Sequence, residues 1–133
     1  MPIIKITQDD INKSKQPEAG WFLFRVEKFA EADSHDKKSK NWVYDCEIIQ
    51  DPSNGGKNVG RHGYARFNSK APGMLLPFIA ACNDIPIDDV KPGDLDTDGF
   101  LQKEFWGQII DDVYEGKIQK RLQEFAPASK VPF

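Results

Sequence analysis

The strongest constraint on the fold is a period-two alternation that recurs in short runs broken by turn signals. In residues 41–49, Trp42, Tyr44, Cys46 and Ile48 alternate with Val43, Asp45, Glu47 and Ile49, so one face is apolar and the other mixed. Residues 20–29 repeat the pattern, with Phe22, Phe24 and Val26 on one side and Trp21, Leu23, Arg25 and Glu27 on a side too polar for a core. In residues 60–68, Ala65 and Phe67 point one way and His62, Tyr64, Arg66 and Asn68 the other. Residues 105–114 and 117–125 close the series around the tight turn Glu115-Gly116.

Between the third and fourth runs the period changes. Leu75, Phe78, Ile79 and Cys82 follow helical spacing, Pro77 sits near the first turn, and Asn83 or Asp84 ends the helix. The order is therefore β-β-β-α-β-β. This predicts an all-β, five-stranded OB-fold barrel with one helix between strands three and four. An open antiparallel sheet crossed by one helix satisfies the same pattern. The expected organisation is a flexible N-terminal arm over residues 1–19 with one helical turn, a barrel domain over 20–128 and a short tail over 129–133.

The chain has 133 residues, enough for one domain with a core that needs no staples. No run approaches the length of a membrane span, and Met1-Pro2-Ile3-Ile4-Lys5 lacks a signal peptide's apolar middle. Cys46 and Cys82 form no CxxC pair, so zinc and redox roles have no foundation. The expectation is a cytoplasmic protein with no membrane association and no cofactor.

Enzymatic chemistry finds no support. His35 and His62 are the only histidines, neither lies in a nucleophile motif, and no phosphate-binding glycine loop is present. Asp94-Leu95-Asp96-Thr97-Asp98-Gly99 matches the opening of a calcium loop, with oxygen ligands at alternating positions and a glycine at the bend. The match fails at its twelfth position, which is Phe105 where a bidentate Glu is required, and Pro92-Gly93 blocks an entering helix. The reading is no metal, with Asp94, Asp96 and Asp98 as the residues of a rival calcium-binding domain.

Single-stranded nucleic acid needs cations along the phosphates and exposed rings for the bases. His62, Tyr64 and Arg66 share a strand face, Arg61 stands beside them, and Lys37, Lys38 and Lys40 fill the loop before strand two. Lys117, after the last turn, extends the same groove. Trp42 joins this set if the strand twists to expose it; its shared face with Cys46 and Ile48 favours the core for it and for Tyr44. The net charge of −3 excludes only a surface that coats phosphates everywhere and leaves room for a local basic groove. A second rival is a protein-interaction module anchored by Trp21 and Trp42.

The order Gly20-Trp21-Phe22, then the loop 37–41, Gly60-Arg61, Ala80-Ala81-Cys82-Asn83, Phe105-Trp106-Gly107 and Tyr114-Glu115-Gly116-Lys117 resembles small phage-encoded single-stranded DNA-binding proteins of OB-fold type. The resemblance covers residues 20–128 and rests on order and spacing. It implies sequence-tolerant binding of single-stranded DNA in replication or recombination, inside the infected bacterium, with Lys40, Arg61, Tyr64, Arg66 and Lys117 matching in place and type. The ending Pro132-Phe133 is similar to the tip by which bacterial single-strand binders recruit partner proteins, although the residues before it carry no acid.

Overall fold

The computed structural model describes residues 2–35, 37–93 and 95–133, without the side chains of Asp9, Asn12, Lys13 and Tyr114. Five strands form one antiparallel sheet: β1 (Gly20–Asp33), β2 (Lys40–Gln50), β3 (His62–Asn68), β4 (Glu104–Tyr114) and β5 (Lys117–Pro127), in the order β3-β2-β1-β4-β5. Helix α1 (Gln8–Ser14) lies in the N-terminal arm, and α2 (Leu76–Asn83) joins β3 to β4 behind a 3₁₀ turn over Pro72–Leu75.

β1 is the hub. Its first half, from Gly20 to Arg25, pairs with β4, while its pairing with β2 continues to Asp33. Register shifts at Leu23/Phe24 and Val26/Lys28 bend it, and a third at Gln108/Ile109 bends β4 against β5. Such bulges raise the twist, which coils the sheet until β3 and β5 meet. There the rings of Phe67 and Phe125 lie 6.1 Å apart. No ladder joins the two strands. The expected all-β, five-stranded plan with one helix is present, as a barrel-like sheet with an open seam. A seven-residue β3 cannot match an eleven-residue β5 along its length, and closure needs matched strands and stagger.

The alternation decides which side chains fill the interior. Phe22, Phe24, Val26, Tyr44, Cys46, Ile48, Ala65 and Phe105 are buried there. α2 plugs the coil by inserting Phe78, whose ring lies 4.9–5.8 Å from those of Tyr44, Phe67, Phe100, Phe105 and Phe125. Edge and tilted contacts of this kind add about 0.5–1.5 kcal/mol per pair beyond burial. Pro77 lies in the helix's first turn, where its missing N–H costs nothing. Asp84, at φ 55°, ends the helix as the Ile85 N–H donates to the Ala80 carbonyl and the Asp84 N–H to that of Ala81. Gly107 has no alternative, because a Cβ there would stand 2.7 Å from Leu122 Cδ1.

The outer face is less polar than its sequence suggests. Leu23 pairs with Trp106 across the β1–β4 ladder, and both are buried. The C-terminal tail covers the indole: Trp106 Nε1 donates to the Ala128 carbonyl, and the Phe133 ring packs edge-on 5.5 Å from it.

Candidate nucleic-acid interface

The β2–β3 connection is built around two buried polar residues. Asp51 accepts from the backbone N–H and side-chain amide of Asn58 and from the amide of Asn54. Burial alone would raise the Asp51 pKa; these donors outweigh it and hold the carboxylate below its ordinary value. Asn58 Oδ1 accepts in turn from the Glu18 N–H and, at 2.8 Å, from Arg61 Nη1. Arg61 Nη1 also reaches the Gln16 carbonyl at 3.5 Å, and Lys57 pairs with Glu18 at 2.5 Å. The loop thus ties residues 16–18 of the arm to the mouth of β3. α1 is closed by a reciprocal pair in which the Asp10 N–H donates to Thr7 Oγ1 and the Thr7 N–H to Asp10 Oδ2. Residues 1–19 therefore hold a seven-residue helix and an anchored segment, more than the single turn expected.

On the outer face of β3, Tyr64 is 39% exposed, Arg66 is exposed, and the guanidinium lies 5.7 Å from the ring centroid. The neighbouring face of β2 is acidic but internally neutralised. Arg25 holds Glu27 at 2.7 Å and Glu47 at 2.9 Å, which raises its pKa further, first through the Glu27 hydrogen bond. His62 Nδ1 lies 2.6 Å from Asp45 Oδ1. An anionic strand gains little in the middle of such a sheet; the cations accessible to it flank β3.

The expected contact residues separate accordingly. Lys37 and Lys38 are exposed in the loop 34–39, with Lys37 at φ 59°. The Asn68 amide donates to Ser39 Oγ and Asn41 Oδ1, and the Ser69 N–H to the Lys40 carbonyl, so this loop stands at the Arg66 end of β3. Lys40 is exposed and ion-paired with Asp33. Lys117 is exposed at the far end of the β4–β5 hairpin. Three of these residues are less open than the rest. His62 is only 7% exposed, with Nδ1 turned against Asp45, and lines the cleft between β3 and β5. Arg61 is engaged by Asn58 and the arm. Trp42 is half-buried and packs against the core opposite Phe67. Tyr44 is fully buried, donating its hydroxyl hydrogen to the Thr97 carbonyl.

Between β3 and β5 the seam opens into a cleft of about 570 Å³. Buried His62, Gly63, Ile109 and Leu122 form its depth. Tyr64 and Arg66 make one rim, Gln119, Lys120 and Arg121 the other, and Gln16 and Pro17 reach its mouth from the arm. Arg66, Lys120 and Arg121 face a single lining acid, Asp112, so the cleft is cationic on an acidic protein. Lys120 pairs with Asp111 at 2.5 Å and Arg121 with Asp112 at 3.4 Å. Exposed pairs of this kind are worth about 0–1 kcal/mol, so a phosphate exchanges them at small cost. Sequence reasoning missed this β5 rim. Its signal was present: a two-residue turn at Glu115-Gly116, both with positive φ, sets Asp111 opposite Lys120.

In the acidic segment, Asp96 is spent on its own backbone. Asp96 Oδ1 accepts from the Asp98 N–H and caps the 3₁₀ turn Thr97–Phe100 that buries Phe100. Asp94 lies outside the described residues, and among those described no three His, Cys, Asp or Glu side chains group to hold a metal. Trp21 is half-buried, and the Phe133 tip rests on the chain's own Trp106. No helix among the described residues is long and apolar enough to cross a membrane. No protein-family model matches the chain, and no curated protein matches it in sequence.

Proposed function

We propose that the chain is an OB-type barrel that binds and protects single-stranded DNA with little regard to sequence, by binding alone and without catalysis. The observation that carries this reading is the exposed Tyr64–Arg66 pair at the lip of a cationic cleft. The lysines of the loop 34–40 lie at one end of it and Lys117 at the other. A ring and a guanidinium side by side provide a stacking surface with its own counter-charge for the backbone. The strand order β3-β2-β1-β4-β5, with β3 approaching β5 and a helix between β3 and β4, supports the OB-type assignment. Replication or recombination in a phage setting is the context that the sequence resemblance implies.

The test is fluorescence anisotropy of labelled oligo-dT, and of a duplex of equal length, across a salt series. Three to five phosphate contacts at about −0.7 each give a log–log slope of roughly −2 to −3.5 for the single strand. A flat slope, no binding at low salt, or equal affinity for the duplex refutes the reading.

A further inference from the structure

We infer that the cleft between β3 and β5 is a nucleotide subsite that takes one unstacked base of the bound strand, an inference that rests on the single-strand reading above. The buried lining of the cleft is mainly apolar, from Ile109, Leu122 and the bare backbone of Gly63, with His62 as its one polar residue. Its rim and mouth carry the Tyr64 ring, the side-chain amides of Gln16 and Gln119 and an excess of cations. That gradient from apolar depth to cationic rim matches a flat, largely apolar ring that carries an anion on its outer side.

Other ligand classes fit less well. A sugar would leave its hydroxyls against Ile109 and Leu122, and a free inorganic anion would make no use of the apolar depth. A lipid tail would cross a charged rim. The volume of about 570 Å³ lies within the range of about 300–1,000 Å³ typical of small-ligand pockets and is too small for a run of stacked bases.

The placement of polar groups also accounts for tolerance of sequence. Gln119 stands on the β5 rim with an amide that both donates and accepts, so it can satisfy the edge of any base. Tyr64 supplies a π-face that every base can use. Arg66, beside that ring, meets the phosphate next to the inserted base. The path of the strand therefore leaves β3 and crosses the seam onto β5, rather than running on over the acidic outer face of β2.

The subsite makes a demand that surface stacking alone does not: one base position must matter more than its neighbours. The experiment uses the shortest oligo-dT that binds with full affinity, with each base in turn replaced by an abasic site. Binding is read by anisotropy for the wild type and for Gln119→Trp, which fills the cleft from its exposed rim. One abasic position is expected to weaken wild-type binding by about fivefold to a hundredfold, the scale of one base's stacking. In Gln119→Trp the melting temperature stays the same, the affinity falls and that position loses its privilege. A second measurement does not depend on the variant folding: thymidine 5′-monophosphate added to the wild type should shift the methyl resonances of Ile109 and Leu122. Equal tolerance at every position, with no methyl shift and undiminished oligo-dT binding, overturns the subsite and leaves the single-strand reading standing. Failure of oligo-dT to bind at low salt overturns both.

Discussion

Replacing Tyr64 with alanine separates a binding residue from a folding residue on the same strand. Tyr64 is 39% exposed and touches Arg66, whereas Phe67, three residues on, is 7% exposed with its ring 5.5 Å from Phe78 and 6.1 Å from Phe125. Losing one stacking surface costs about 1–3 kcal/mol of binding, roughly five- to 150-fold in affinity. The fold loses an exposed cation–π contact and some burial, about 1 kcal/mol. Phe67→Ala leaves a cavity among the rings around α2 and costs about 3–5 kcal/mol of stability. For a chain of this size that lowers melting by roughly 10–20 °C, against a few degrees for Tyr64→Ala. Oligo-dT anisotropy at fixed low salt, paired with scanning calorimetry, reads both quantities. Tyr64→Ala binding like the wild type would refute the placement of the strand on β3. A large loss of melting temperature in Tyr64→Ala with none in Phe67→Ala would mean that the faces of β3 are exchanged.

Asp51→Ala leaves the two donors of buried Asn58 without their acceptor and should cost about 2–4 kcal/mol by denaturant unfolding. Because the folded Asp51 carboxylate titrates below its ordinary value of 3.8, its stabilisation is present above that value and lost as pH falls through the lowered one. Asp51→Asn should therefore flatten the stability–pH curve below about pH 4, and an unchanged acid slope would show that the carboxylate is not held this way. Burial pushes the Cys82 thiol up to about 12 and the Cys46 thiol well above its ordinary value. Both should resist iodoacetamide in the folded protein at pH 8, and stability should fall as pH rises from about 9 towards 12; rapid alkylation without unfolding would contradict the packing around α2. Calcium titrated calorimetrically into chelator-treated protein should show no micromolar site, since Asp96 is committed to its own turn; a micromolar dissociation constant would reverse this.

The faces of β2 and β3 were legible because alternation reports directly on burial, and Tyr44, Cys46, Ile48, Ala65 and Phe67 all turn inward. The last residues of β1 were not legible. Ala30, Glu31, Ala32 and Asp33 pair with β2 through the backbone, while their side chains follow no apolar pattern. Leu23 reads as exposed from its neighbours Arg25 and Glu27. It is buried beside its cross-strand partner Trp106, on which a tail docks whose sequence gives no hint of the site. Among the site residues, Tyr64 and Arg66 take their outward places from strand parity. The environments of His62 and Arg61 are set by Asp45, Asn58 and Gln16, partners that loop closure brings from elsewhere, and no local pattern encodes them.

The pairing of β1 with both β2 and β4 also fixes an order of events at the ribosome. β2 and β3 follow β1 within a short stretch, so the β3-β2-β1 meander can form as soon as it emerges. The other edge of β1 has to wait, because Gly20 finds its partner in Ile109 and Trp21 in Gln108, which emerge only after β2, β3 and α2. Until then Phe22 and Phe24 face an incomplete interior beside an unpaired strand edge, the arrangement most prone to pairing with another chain. Late, non-local pairing of this kind places folding in the millisecond-to-second range of β-rich domains. Truncating the chain before β4 should therefore yield an aggregating meander rather than a smaller folded unit.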